Sequence, residues 1–192
     1  MTATGPSDLP AQLVRAAHDL GAAGLLGGSL YGRYALHPAV TGLADPRERG
    51  KLVNGAWRRY GVVNALGLAA VTGGWLGARA TEARPARLSE HERRLSAAKD
   101  ALVAAVTAGG LATGFAGMRF ARQAPEGAVP LATGSKPAPE TTREAARLKR
   151  RLDRLGALTT AAEVGLVAVN AALAQSAHTR PPLRRRMLRR SR

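Results

Sequence analysis

The chain has 192 residues, no cysteine, and 29 Lys plus Arg against 13 Asp plus Glu, which gives a net charge of +16. The absence of cysteine excludes a disulfide scaffold, a thiolate metal site and a thiol nucleophile. Hydrophobic residues make up 45%, but Ile is absent and Ala and Gly dominate, so a water-soluble core would have few bulky side chains to bury. This composition favours close packing between helices.

The first predicted helix covers about 9–36 and ends before Pro38, with Asp8 as its candidate N-cap. Its middle, LGAAGLLGGSLYG, is apolar and spaces three glycines four residues apart: Gly24, Gly28 and Gly32. In lipid such a stripe of small residues lets a second helix backbone approach closely. We therefore predict that this glycine zipper packs against another helix.

The second predicted helix, 46–80, has the clearest start. Asp45 is its N-cap, Pro46 occupies the first helical position and Glu48 follows in the first turn, all of which favour a helix N-terminus. From 60 to 78 the helix carries no charge. That length is about what a bilayer core of ~30 Å requires.

The third predicted helix, 90–121, begins at the capping-box pattern of Ser89 and Glu92. Its segment 101–118 carries no charge. Within that segment Gly110 and Gly114 repeat the four-residue glycine spacing and are predicted packing positions. This helix is therefore a second uncharged span.

The next stretch, QAPEGAVPLATGSKPAPE, contains four prolines and several turn signals. It predicts an extended, solvent-exposed and mobile loop without helix. A second capping-box pattern, Thr141 and Glu144, opens the fourth predicted helix, 142–178. From 155 to 177 this helix has one charged residue, Glu163, and a polybasic tail covers 181–192.

Two interpretations compete for these helices: a transmembrane bundle, or a soluble Ala-rich bundle with a basic surface. The overall mean hydropathy of −0.13 favours the soluble one. A soluble helix should, however, show a polar face throughout, and the segments 60–78, 101–118 and 155–177 do not. We therefore predict an all-α four-helix transmembrane bundle over 1–180, with a disordered tail at 181–192. Both termini are predicted to be cytoplasmic, because the seven arginines at the end of the chain would be hardest to translocate.

Polar residues within or beside the spans are the candidates for function, since an ionisable group in a bilayer is costly. They are His18, Asp19, Arg33, Arg59, Asn64, Asp100, Glu163 and Asn170. In one interpretation Glu163 or Asp19 titrates in a proton or cation path. In the other, which we favour, Glu163 pairs with Arg33 or Arg59, and the two asparagines form interhelical hydrogen bonds. The histidines lie at different levels, so no metal site is predicted.

The runs GGSLYGRYALHPAV and DPRERGKLVNGAWRRYGVVNALGLAA, with the later QAPEGAVPLATGSKPAPET, resemble a group of four-helix membrane proteins from actinobacteria. That resemblance implies a bundle and a membrane location. In plan the chain is also similar to anthrone oxygenase-like membrane proteins, with His18 as the matching polar residue of the first span.

No motif for a nucleotide, cofactor or hydrolytic reaction occurs, so no cofactor is predicted. We expect a structural or assembly role in the plasma membrane, with a small transporter or channel component and an oxygenase-like enzyme as alternatives. The predicted partners are the bilayer and, at the tail, anionic lipid. Nucleic acid is not favoured, because the tail lacks aromatic stacking partners. Homo-oligomerisation stays open.

Overall fold

The computed structural model of the protein describes residues 9–81, 83 and 88–178. Over these residues it contains no β-strand and has four long helices, α1 (Leu9–Tyr31), α2 (Pro46–Ala80), α3 (Glu90–Ala121) and α4 (Arg143–His178). The bounds of α2 and α3 coincide with those expected from the sequence. The predicted N-cap Asp8 and the predicted tail 181–192 lie outside the described residues.

The helix start signals of α2 and α3 are formed as expected. The Asp45 side chain accepts a hydrogen bond of 2.8 Å from the amide of Arg47. At α3, Ser89 and Glu92 form a reciprocal capping box. These contacts satisfy amides that have no partner within the helix.

The capping box predicted for α4 is wrong by one residue. The hydroxyl of Thr142, not of Thr141, accepts from the amide of Ala145 at 3.3 Å. Thr141 instead donates its hydroxyl to the carbonyl of Pro130 at 2.6 Å. The preceding loop therefore uses the side chain that the sequence pattern assigned to the helix.

The end of α1 also differs from expectation. After Tyr31 the chain stays helical through a π-helical turn, Gly32–Leu36, a short α-helical turn and a 3₁₀ turn, Val40–Gly42. Pro38 lacks an amide hydrogen and clashes with the carbonyl four residues earlier, so a regular helix cannot continue unchanged. The amide of His37 bonds to the carbonyl of Gly32, five residues back. The wider π-helical turn thus accommodates Pro38, and the chain stays helical past the proline.

The helices pack as two antiparallel pairs, α1 along α2 and α3 along α4, joined by contacts between α2 and α3 and between α1 and α4. The central core takes a fully buried residue from each helix: Leu25, Val71, Val106 and Leu166. A second apolar cluster lies at the end of the helices that carries the Pro-rich loop. It includes Val53 of α2 and Phe120 of α3.

The zipper pattern predicted that a helix backbone packs along the glycine stripe of α1. The structure does not have such a contact along the length of the stripe. At Gly28 and Gly32 the space is filled by the rings of Tyr60 and Trp57. The close backbone approach occurs instead at Gly21, where a Cβ would lie 2.9 Å from the carbonyl oxygen of Gly67. At these two positions the absence of a Cβ makes room for large aromatic side chains of α2 and not for its backbone.

The other predicted packing glycines differ among themselves. A Cβ on Gly110 would meet the side chain of Leu68 at 2.8 Å, so this glycine lies in a tight α2–α3 contact. At Gly114 no atom lies within 4 Å of that position, and at Gly24 the nearest is Val63 at 3.9 Å. The four-residue spacing alone therefore does not identify which glycines are in tight contact.

Three of the described helices, α2, α3 and α4, are long and apolar enough to cross a membrane. In their most apolar stretches only 22%, 17% and 17% of the residues are buried inside the protein. Large apolar side chains such as Leu66, Phe115 and Leu158 are 67%, 66% and 70% exposed. The helix α1, which carries Arg15 and Asp19 in its first half, is not one of the three.

The Pro-rich loop is packed, which corrects the prediction of an exposed and mobile connection without helix. It includes a 3₁₀ turn, Pro125–Gly127, and buries Val129 and Leu131 to 2% and 0% exposure. The amide of Leu131 donates to the carbonyl of Pro46 at 2.9 Å. Apolar residues between the prolines thus complete the second cluster against α2.

Candidate functional site

Polar side chains from three helices meet at the end of the molecule where α1 and α3 begin, here called the terminal end. Asn170 of α4 donates from Nδ2 to Oδ1 of Asp19 at 2.9 Å. Its other amide atom, Oδ1, accepts a hydrogen bond from the ammonium group of Lys99 on α3. The amide of Asn170 therefore links α1, α4 and α3 in one chain of hydrogen bonds.

The fourth helix joins this network through Trp75 near the end of α2. The indole Nε1 of Trp75 donates to Oδ1 of Asp100 at 2.7 Å. Arg79 forms an ion pair with the other carboxylate oxygen at 3.1 Å. The ammonium nitrogen of Lys99 lies 4.4 Å from the centroid of the Trp75 ring, within cation–π range. All four helices thus contribute to the terminal end.

His18 is the buried member of this group, at 4% exposure, and its Nδ1 lies 3.1 Å from Oδ1 of Asp19. Since a carboxylate only accepts, Nδ1 carries the hydrogen in the neutral ring. The other ring nitrogen, Nε2, is buried and has no hydrogen-bond partner among the described residues. Gly74 makes room for this ring, because a Cβ there would lie 2.9 Å from the His18 Cβ.

Glu163 lies about two helical turns along α4 from Asn170, toward the middle of the bundle, and it does not form the predicted ion pair. Ser29 of α1 is its nearby polar side chain, and its Oε2 is buried without a hydrogen-bond partner among the described residues. Arg33 instead donates to the backbone carbonyl of Asp153 at 3.3 Å, and Arg59 is exposed. The rotation of the helices turns both arginines away from the carboxyl group.

Tyr60 and two threonines make further polar contacts between the helices. The hydroxyl of Tyr60 on α2 donates to the carbonyl of Gly24 at 2.6 Å. Between α2 and α3, the hydroxyls of Thr72 and Thr107 lie 2.7 Å apart. Asn64, a candidate from the sequence analysis, is half-buried and is not part of the terminal end or of these interhelical contacts.

A separate polar group at the opposite end, here called the loop end, was not predicted. The indole Nε1 of Trp57 donates to Nε2 of His37 at 3.1 Å, and Nδ1 of His37 lies 2.9 Å from the Ser135 hydroxyl. Because an indole only donates, Nε2 must accept and Nδ1 carries the hydrogen. The geometry therefore fixes His37 as a neutral ring that connects α2 to the Pro-rich loop.

Electrostatics at the loop end reinforce the neutral form of His37. Burial of the ring, with the positive charge of Lys149 nearby, lowers the pKa of His37 from 6.5 to about 4. Lys149 is itself buried, with its ammonium nitrogen 5.6 Å from the centroid of the Phe120 ring. No local sequence signal reveals this group, because its members are far apart along the chain.

Within the described chain no group of three or more His, Cys, Asp or Glu side chains is arranged to hold a metal ion. Comparison with protein families, curated proteins and solved structures finds no match to this chain. Function must therefore be argued from the arrangement of its own residues.

Proposed function

We propose that this protein is an integral membrane protein with four spans and a structural or assembly role. The observation that carries the proposal is the outward-facing apolar surface of α2, α3 and α4, whose most apolar stretches are 17–22% buried inside the protein. A soluble protein rarely exposes continuous apolar surface on this scale. A bilayer provides the environment in which such a surface is stable.

The polar residues support a structural role because most of them are engaged with one another. Asn170 uses both atoms of its amide to connect α1 and α3, and Asp100 accepts from Trp75 and Arg79. Interhelical hydrogen bonds of this kind hold helices together where lipid removes the hydrophobic driving force. The helix α1 is the weakest span by composition, and its contacts to α2 and α4 support its place in the bundle.

We further propose that both termini face the cytoplasm of a plasma membrane. The beginning of α1 and the last turns of α4 lie at the same end, as the contact between Asp19 and Asn170 shows. The arginines from Arg180 onward follow α4 directly in the sequence. A positive segment adjacent to a span favours the cytoplasmic side.

Membrane extraction tests the proposed location. We expect the full chain to stay in the pellet after high-salt and carbonate washes of a membrane fraction, and to need detergent for release. High salt controls for attachment through basic residues alone, because it screens surface charge. Release by carbonate as a monodisperse protein would reject the membrane proposal in favour of a soluble basic bundle.

A second candidate, proton transfer through the bundle, is favoured by the unpartnered Oε2 of Glu163. A carboxyl group that is buried and not ion-paired is the kind of group used in proton relays of membrane proteins. The test is proton flux into liposomes that contain the purified protein, with Glu163→Gln against the exposed control Glu126→Gln. Flux that is lost only in Glu163→Gln would support transport. The structural role predicts no protein-dependent flux in any of the three proteins.

A further inference from the structure

An open cavity of about 700 Å³ lies between the Pro-rich loop and the first turns of α4. Four basic side chains line it: Lys136, Arg143, Arg147 and Arg150. The three arginines are spaced by four and three residues, so they share one face of α4 and extend along about 10 Å of its axis. Lys136 approaches from the loop on the other side.

These four charges are not neutralised within the described part of the protein. None of the four side chains forms an ion pair or hydrogen bond there, although all four are exposed and able to reach a ligand. The acids nearest in sequence, Glu140 and Glu144, do not line the cavity. The cavity is therefore a site of concentrated positive charge without an internal counter-ion.

The loop wall of this cavity is held in place by the fold. Arg49 of α2 donates from Nη1 to the carbonyl of Ala132 at 2.9 Å, and the Thr141 hydroxyl donates to the carbonyl of Pro130. Ala138 is buried and its amide bonds to the same carbonyl at 3.4 Å. A basic site with a fixed wall loses less entropy when it binds an anion.

The position of the cavity along α4 indicates where its ligand comes from. Arg150 precedes Leu155, the start of the long run whose only charge is Glu163, by five residues or about 8 Å. In the proposed membrane this places Arg150 at the level of the lipid headgroups on the side opposite the termini, with Arg147 and Arg143 successively further from the bilayer core. Arginine binds phosphate through paired N–H donors, and the headgroup of an anionic phospholipid carries a phosphate.

We propose that this cavity binds a phosphate group, which at this level is that of an anionic phospholipid. The headgroup source rests on the proposed membrane location, whereas phosphate recognition by the four basic side chains does not. A free inorganic phosphate offers the same chemistry, so the experiment separates the two sources.

The test uses the full chain purified in detergent, as parent, as Arg147→Gln/Arg150→Gln, and as the matched control Arg151→Gln/Arg154→Gln. The control removes the same charge from exposed residues of α4 that do not line the cavity. Binding of phosphatidylglycerol is measured by native mass spectrometry, and inorganic phosphate is titrated as competitor. We expect affinity for the lipid to fall about ten- to thirtyfold in the cavity variant and to change little in the control.

Lipid binding that is lost in the cavity variant assigns the site to the headgroup. Binding of inorganic phosphate that is lost in the cavity variant, with equal lipid binding in all three proteins, assigns it to free phosphate. Equal loss in both double variants, or no binding of either probe by the parent, overturns the proposal. If the cavity double variant does not fold, the single change Lys136→Gln on the exposed loop replaces it. A protein that needs no detergent but still binds inorganic phosphate rejects the membrane proposal alone.

Discussion

At the residue scale, His37 is the side chain whose protonation state the structure defines best. Its Nε2 accepts from Trp57 and its Nδ1 carries the hydrogen directed at Ser135. A second proton can be added only at Nε2, which would break the bond to Trp57. The neutral ring therefore holds α2 and the Pro-rich loop together.

This arrangement predicts that acid destabilises the protein through His37. The pKa is about 4 in the folded chain and near 6.5 when unfolded, so the unfolded chain binds more protons between these values. The contribution of neutral His37 is complete above pH 6.5 and is lost as the pH falls toward 4. We expect a loss of about 1–3 kcal/mol, since the ring is only partly shielded from solvent.

Thermal unfolding in detergent from pH 7.5 to 4.5 measures this effect in the parent, in His37→Gln, and in the exposed control His91→Gln. The acid-dependent loss of stability should be smaller in His37→Gln than in the parent, and unchanged in His91→Gln. If the parent and His37→Gln lose stability in parallel as the pH falls, another group is responsible.

At the scale of single elements, the Pro-rich loop depends on one glycine of α2. A Cβ on Gly50 would lie 1.9 Å from the carbonyl oxygen of Val129, so the loop backbone rests directly on the helix. Nearby Asn54 donates to the carbonyl of Gly127 at 2.7 Å and fixes the same segment. The loop is thus attached through its backbone as well as through the burial of Leu131.

Two alanine substitutions on α2 should therefore have opposite signs. Gly50→Ala forces the loop away from the helix and should cost about 1–3 kcal/mol. Gly55→Ala, where no atom lies within 4 Å of the new Cβ, should stabilise α2 by up to about 1 kcal/mol. Unfolding in detergent gives the signs, and limited proteolysis reports whether the loop opens in Gly50→Ala. Two changes of the same sign would contradict this attachment.

An interaction could be predicted from the sequence when its partners lie close together along the chain. The starts of α2 and α3 were predictable because Asp45 and Ser89 act within one helical turn. The packed loop was not, because turn signals mark where helices stop and do not show that Val129 and Leu131 meet α2. Asp19 and Asn170 could be placed at one level from antiparallel order. The partner of Glu163 could not, because it depends on helix rotation.

At the scale of the whole molecule, polar contacts join the two helix pairs, and the bond from Asn170 to Asp19 is one of them. Because α1 and α4 are far apart in sequence, this contact connects the beginning of the fold to its end. The free energy that this hydrogen bond contributes to stability shows how much it couples the two helix pairs.

A double-mutant cycle with Asp19→Leu and Asn170→Leu tests this connection. We expect a coupling of about 0.5–1 kcal/mol, typical of interhelical hydrogen bonds in membrane proteins. The pair Asp19→Leu and Asn64→Leu is the control and should be additive within about 0.5 kcal/mol, because Asn64 joins neither polar group. Unfolding by a denaturing detergent provides the free energies. Additivity in both cycles would mean that the pairs associate without this bond.

The pairing of α1 with α2 also has a consequence for biogenesis. The helix α1 leaves the ribosome before α2, α3 and α4, yet it is not among the three described helices that are apolar enough to cross a membrane. Its close backbone contact from Gly21 to Gly67 forms only after most of α2 has been synthesised. In the proposed membrane, α1 would therefore wait at the translocon and enter the lipid together with α2 as a helical hairpin, so shortening α2 should prevent integration of both.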